Sequence, residues 1–206
     1  VEEQYLNMTN ETLQSAQSLA VADSIFSRRS PRSFSSGPVS KADLKRVFEA
    51  ARWAASSYNE QPWRFIVGLK GDATYQKIFD SLVEFNQGWA KSAPVLILSA
   101  GSNKFAHNGM PNGYALHDTG AATAYLSLAA WELGLRTHSM GGFDQAKARA
   151  AFAIPEDYLI GAVTALGYPG DGSELPEPLK QMENGPRLRK ELDEIVLSEW
   201  GKPASF

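Results

Sequence analysis

Apolar positions along the chain follow two distinct periods. Between Ser40 and Ala55, the residues Leu44, Val47, Phe48, Ala51 and Ala55 recur every three or four positions, which predicts a helix with one buried face. Ser40 followed by Asp43 is an N-terminal capping pattern for it. The same period predicts a helix over residues 11 to 27, with Leu13, Leu19, Ala22, Ile25 and Phe26 apolar, and a short one marked by Tyr75, Ile78, Phe79 and Leu82. A further helix is expected over residues 145 to 152. Unbroken β-rich runs lie at Trp63 to Leu69, Ala93 to Leu98 and Ile160 to Tyr168. The second has Pro94 near its start and reads as a strand buried on both faces.

From Tyr114 to Leu133 the pattern predicts one long helix with no charge between Asp118 and Glu132. A bilayer span needs about 20 apolar residues, so this helix is expected to be buried in protein. Its small residues Gly120, Ala121, Ala122 and Ala124 would let another helix approach, and Gly134 fits its stop. Residues 101 to 113 read as a loop. Residues 169 to 186, with four prolines, read as an irregular crossing. Ile195 to Trp200 reads as a strand with no local partner, which would have to pair with a distant strand in this chain or another. No repeat, low-complexity segment or linker appears, so the expectation is a single domain over 1–206, with an N-terminal extension or helix at 1–19 and a C-terminal arm at 195–206.

Composition narrows the chemistry. The 206 residues are 43% apolar and 21% charged, an ordinary globular balance. The absence of cysteine excludes disulfides, thiolate metal sites and Cys nucleophiles. With 20 basic and 23 acidic residues the net charge is −3, which gives no global field for nucleic acid. The start is acidic and lacks a secretory pattern, so a cytoplasmic location is expected, and the sequons at Asn7 and Asn10 carry no weight there.

Three local constellations stand out. Arg28, Arg29 and Arg32 lie within five residues, and Arg187 and Arg189 form a second cluster far along the chain. Guanidinium forks match phosphate oxygens, so two converging clusters would hold one phosphate; solvated surface charge is the alternative. Ser56-Ser57-Tyr58-Asn59-Glu60-Gln61-Pro62-Trp63 packs donors and acceptors at a helix-to-strand junction. It would read the edge of a heteroaromatic ring, or it is a helix exit with ordinary turn chemistry. Met140-Gly141-Gly142-Phe143 lets the backbone approach a flat ligand, or makes a sharp turn. The chain has no dinucleotide fingerprint, P-loop or nucleophile elbow. His107, His117 and His138 lack metal-ligand spacing, so no metal is expected.

Taken in order, these pieces resemble the nitroreductase family of flavin enzymes. The resemblance rests on Arg28 to Phe34, Ala55 to Trp63, Asn86 with Trp89, Ala93 to Leu98, Gly134-Leu135, Met140 to Asp144, Gly167-Tyr168-Pro169 and Pro186 to Arg189. It spans about residues 20 to 200. It implies an α+β fold with a central, mostly antiparallel sheet flanked by helices. It also implies an intertwined homodimer with FMN at the subunit interface. The uncharged helix would then be core or interface, and the segment from Ile195 onward an arm to the partner.

The resemblance also implies roles. Arg28 and Arg189, with Arg187 beside them, match grips on the FMN phosphate. Arg29 and Ser30 match contacts to the phosphate, ribityl chain or pyrimidine edge, and Arg32 matches a cation near N1 and the C2 carbonyl. Ser56, Ser57 and Asn59 match a stretch supplied by the other subunit. Asn86 matches an amide at the ring or ribityl group. Gly141 and Gly142 match backbone donors to N5 and the C4 carbonyl. The sequence departs from the pattern twice: Trp89 stands where some members have Lys, and Gly141 where others have Glu. Tyr58, Phe105, Tyr114 and Phe143 would shape the substrate space. The implied activity is ping-pong hydride transfer from NADH or NADPH through flavin N5 to a nitroaromatic, quinone or similar small acceptor, with no catalytic side chain, nucleic acid or membrane. Alternatives are the same fold with dehalogenase, ene or azoline oxidase or flavin-fragmenting chemistry, a non-catalytic flavin-binding module, and a general anion-binding domain.

Overall fold

A computed structural model of the chain describes residues 22 to 205. The part of the first predicted helix before residue 22, the extension at 1–19 and both sequons lie outside the described residues. The described residues form two compact units, one up to Leu175 and the other from Pro176 onward.

In the first unit, α1 (Ala22–Ser27) leads through the arginine-bearing loop to α2 (Lys41–Arg52). Ser40 caps α2: its hydroxyl accepts from the Asp43 N–H at 3.0 Å and donates to the Asp43 carboxylate at 2.8 Å. The helix stops at Arg52, short of the expected Ala55. Next come β1 (Trp63–Leu69), α3 (Ala73–Ser81), α4 (Glu84–Ala90), β2 (Val95–Ser102), α5 (Ala115–Glu132), β3 (Arg136–Met140), α6 (Gln145–Phe152) and β4 (Tyr158–Gly167). The four strands form one antiparallel sheet in the order β1-β2-β4-β3. This is the expected α+β class. β2 and β4 lie inside the sheet, which explains their unbroken apolar runs, and a register shift between Leu98 and Ala100 marks a bulge.

Val47 and Ala51 of α2 and Ala122, Leu126 and Ala130 of α5 pack with Val95 and Ile97 of β2 in one core. Leu96 and Leu98, which alternate with them, face the other side of the sheet. Gly68 of β1 makes α3 possible at its observed distance, because a Cβ there would sit 2.4 Å from the Tyr75 Cα. The Tyr75 hydroxyl donates to the Ala93 carbonyl at 2.9 Å, and burial pushes its pKa up to about 12.

Within this chain α5, expected to be core or interface, buries Ala115, Asp118, Thr119, Ala122, Leu126 and Ala130 and leaves Leu116 and Tyr125 exposed. Its Thr119, Thr123 and Ser127 hydroxyls bond carbonyls one turn back, so an uncharged helix satisfies its own polar groups. α4 was not expected; it is seven residues long, contains Gly88 and has no side-chain cap.

The second unit holds α7 (Glu177–Asn184), α8 (Leu192–Ile195), β5 (Leu197–Glu199) and β6 (Lys202–Pro203). α7 lies inside the stretch expected to be irregular; Pro176 at its cap and Pro178 in its first turn are places where proline is tolerated. The terminal strand does have a local partner, since β5 pairs with β6 across Gly201. Leu188, Leu192, Ile195 and Trp200 remain exposed.

Candidate active site

The loop after α1 is held from its far side. Phe34 is buried and bridges to Pro169, and Ser35 N–H donates to the Tyr168 carbonyl at 2.9 Å. The buried Ser33 hydroxyl donates to Glu174 at 2.8 Å and accepts from the Gly172 N–H at 2.9 Å. Arg28 donates to the Ser30 hydroxyl at 3.1 Å. Arg29 and Ser30 are exposed, and Arg32 is half-buried. On the near side, His138 Nδ1 lies 3.0 Å from the Pro31 carbonyl. A carbonyl only accepts, so Nδ1 carries the proton. Burial is the main cause that holds the His138 pKa below its ordinary value. The Arg32 charge pushes the same way, and the Pro31 and Ser30 carbonyls oppose both.

α4 ties this loop to the glycine pair. Asn86 donates from Nδ2 to the Gly142 carbonyl at 2.9 Å, and Val83 N–H donates to the same carbonyl at 3.1 Å. A Cβ on Gly142 would sit 2.7 Å from Asn86 Nδ2, whereas one on Gly141 would meet nothing within 4 Å. One turn after Asn86, Trp89 is buried, with its ring 4.5 Å from the His138 ring and 6.5 Å from that of Phe34. Trp89 is therefore a packing element under His138. Residues 28–34, Asn86 and Gly141-Gly142 thus share one support.

A second group is built on other elements. Ser57 N–H donates to the buried Asp118 carboxylate at 3.0 Å, and the other Asp118 oxygen lies 3.0 Å from His117 Nδ1. Ser56 accepts from the Gln61 N–H at 3.0 Å. Tyr58, Asn59 and Gln61 all adopt left-handed backbone (φ 52°, 55° and 51°), a conformation that costs each non-glycine residue about 1 kcal/mol or more. This strained turn holds Tyr58 out at 84% exposure. Its ring meets Phe105 edge-on at 5.6 Å and His107 at 5.9 Å, and Glu60 accepts from the Ala106 N–H at 3.0 Å. Tyr114 is exposed and edge-on to His117; Phe143 is buried and bridged to Leu82. Of the four aromatics expected together, the structure joins Tyr58 to Phe105.

Arg187 and Arg189 belong to the second unit, where Arg189 donates to the Leu188 carbonyl at 2.8 Å. A shallow hollow lined by Asn103, Lys104, Pro111, Asn112 and Leu159 contains none of the expected site residues. Among the described residues no group of acids and histidines has the makings of a metal site, and no helix is long and apolar enough to cross a membrane. His138 and Asp118 are the two supports that sequence reasoning missed. Each was visible only as a histidine or an acid without ligand spacing.

The model of the Nitroreductase family matches residues 25–85 and 69–168, and the chain belongs to that family. A provisionally named NADH dehydrogenase/NAD(P)H nitroreductase of Archaeoglobus fulgidus is 31% identical over 157 residues, covering 74% of this chain and 87% of that protein. Among solved structures, an oxidoreductase containing FMN superposes with a TM-score of 0.82 at 32% identity, covering 88% of this chain and 93% of the other. A protein described as a nitroreductase in complex with FMN, from Desulfovibrio desulfuricans, has a TM-score of 0.71 at 27% identity, with 88% and 97% covered.

Proposed function

We propose that the chain is an FMN-dependent NAD(P)H oxidoreductase that reduces planar acceptors such as nitroaromatics or quinones. One observation carries this reading: the arginine loop, Asn86 and the glycine pair, which lie far apart in sequence, are braced together through His138, Trp89 and the Gly142 carbonyl. The donor set fits the cofactor. The loop offers three guanidiniums and a serine hydroxyl, as a phosphate and an electron-rich ring edge require. An added Cβ on Gly141 would meet nothing within 4 Å, so the backbone there stands open to the approach of a flat ring.

Bound FMN would supply hydride uptake and release, which no side chain here provides. Arg28, Arg29 and Ser30 hold the phosphate end. Arg32 offsets negative charge at the pyrimidine edge, Asn86 orients the ring or ribityl group, and Gly141 and Gly142 direct their N–H groups to its central edge. Tyr58, Phe105, Tyr114 and Phe143 bound the space for the nicotinamide and then the acceptor. Two copies complete the site, with Ser56, Ser57 and Asn59 reaching the partner's cofactor. That Ser56–Asn59 stands on α2, β1 and α5, apart from the support of the arginine loop, favours this division. A cytoplasmic setting, where reduced nicotinamides are available, goes with the reading.

Purified protein is expected to be yellow or to be reconstituted by FMN, and to bleach anaerobically with NADH or NADPH. A colourless protein that takes up no FMN would overturn the reading. A charge-assisted contact contributes roughly 1.5–3 kcal/mol, so Arg28→Ala should weaken FMN binding about 10- to 100-fold.

A further inference from the structure

We infer that His138 is a positioning residue that sets the conformation of the arginine loop by donating its Nδ1 proton to the Pro31 carbonyl across the middle of that loop. The inference deepens the functional reading above, because the loop it sets is the one assigned to FMN.

The geometry is specific. His138 lies on β3, an edge strand of the sheet, and its partner is 107 positions away in sequence. Pro31 sits between Ser30 and Arg32, so fixing its carbonyl fixes the peptide plane that separates the two groups assigned to the cofactor. Anchors at Ser33, Phe34 and Ser35 lie C-terminal to Arg32. His138 adds one on the N-terminal side of Arg32, at Pro31.

Its own ring is fixed in turn. Trp89 lies 4.5 Å away at 38°, and Trp89 stacks on Phe34 of the same loop. The imidazole is therefore bounded by the sheet, by α4 and by the loop it orients. Among the described residues, the charged group that contributes to its electrostatics is Arg32, and burial beside that cation favours the neutral ring. A neutral ring with the proton on Nδ1 is a donor of fixed direction that adds no second charge beside Arg32. Asn86, one turn before Trp89, holds the Gly142 carbonyl. The same short helix thus backs both the loop, through His138, and the glycine pair.

The test compares His138→Leu, which fills the space without a donor, with His138→Asn, whose amide N–H falls near the position of Nδ1. Loss of one well-oriented hydrogen bond to a binding loop should raise the FMN dissociation constant about 10-fold in the Leu variant. The Asn variant should stay within about 3-fold of the parent. In the FMN-free protein, hydrogen exchange at the Arg32 and Ser33 amides should speed up in the Leu variant and not in the Asn variant, and imidazole NMR should show the proton on Nδ1. Equal weakening in both variants would mean that packing, not the donated proton, matters, and would overturn the proposal. So would parental FMN affinity in the Leu variant. Should the parent protein itself bind no FMN, the functional reading falls, and the exchange comparison alone decides the positioning role.

Discussion

Gly142 and Gly141 are neighbours in sequence, yet the structure assigns them opposite tolerances. An added Cβ at Gly142 would lie 2.7 Å from Asn86 Nδ2 and 3.1 Å from a Val83 methyl. The amide nitrogen it would strike is the one that donates to the Gly142 carbonyl, so Gly142→Ala must push Asn86 off that bond. The carbonyl keeps the Val83 N–H, so it is not orphaned. The Asn86 amide, on a side chain only 9% exposed, has little access to water as a replacement. A lost bond with a buried donor left unsatisfied costs roughly 1–3 kcal/mol, about 2 as a central value. For a chain of this length that lowers Tm by about 4–8 °C. At Gly141 an added methyl meets nothing and the backbone is not left-handed, so Gly141→Ala should not lower Tm and should raise it by about 1–4 °C. Thermal unfolding of both variants, with FMN titrations alongside, separates the two sites. The reasoning is refuted if the two substitutions cost the same.

Two further predictions concern the cluster under the arginine loop. Trp89→Lys places an ammonium in a buried position against His138, beside the charge of Arg32, and should cost at least about 3 kcal/mol in denaturant unfolding near neutral pH. Trp89→Phe should cost less, since the indole N–H has no hydrogen-bond acceptor to lose. Because the His138 pKa is lowered in the folded protein, the unfolded chain binds its proton more readily. Its contribution is present above about pH 6.5 and is lost as pH falls through the depressed value. Unfolding free energies measured between pH 7.5 and 5 should therefore decline less in His138→Leu than in the parent; an equal decline would exclude His138 as a source.

Much of the scaffold was legible because it is written in local periods. β1 was predicted at its observed ends from an unbroken β-rich run, and α2 from a four-turn apolar stripe behind a Ser cap. What failed was structure whose cause is not periodic. α4 has seven residues and no cap side chain, and its reason to exist is the pair of contacts made by Asn86 and Trp89 to residues about fifty positions on. α7 was hidden by prolines that sit where a helix accepts them, and β6 by being two residues long beyond a glycine turn. The site followed the same division. The arginines and glycines announced themselves by composition, whereas the residues that orient them, His138 and Asp118, act through bonds spanning 107 and 61 positions and leave no local mark.

The separate footing of the two site groups makes a prediction about assembly. Arg32 belongs to the group braced by α4 and β3, and Asn59 to the turn anchored on Asp118 of α5. If each cofactor is held by the first group of one copy and the second group of the other, Arg32→Ala and Asn59→Ala each damage every site in their own homodimers. In a mixed dimer the damage falls unevenly: one site receives both substitutions and the other receives neither. Random pairing of equal amounts makes half the dimers mixed, so about a quarter of all sites should be restored. Co-expression of the two variants, or unfolding and refolding them together, should recover tight FMN binding at about that stoichiometry, while the variants mixed without subunit exchange should recover none. If the co-assembled protein binds no better than the average of its parents, both groups act within a single chain, and the division of the site between two copies is wrong.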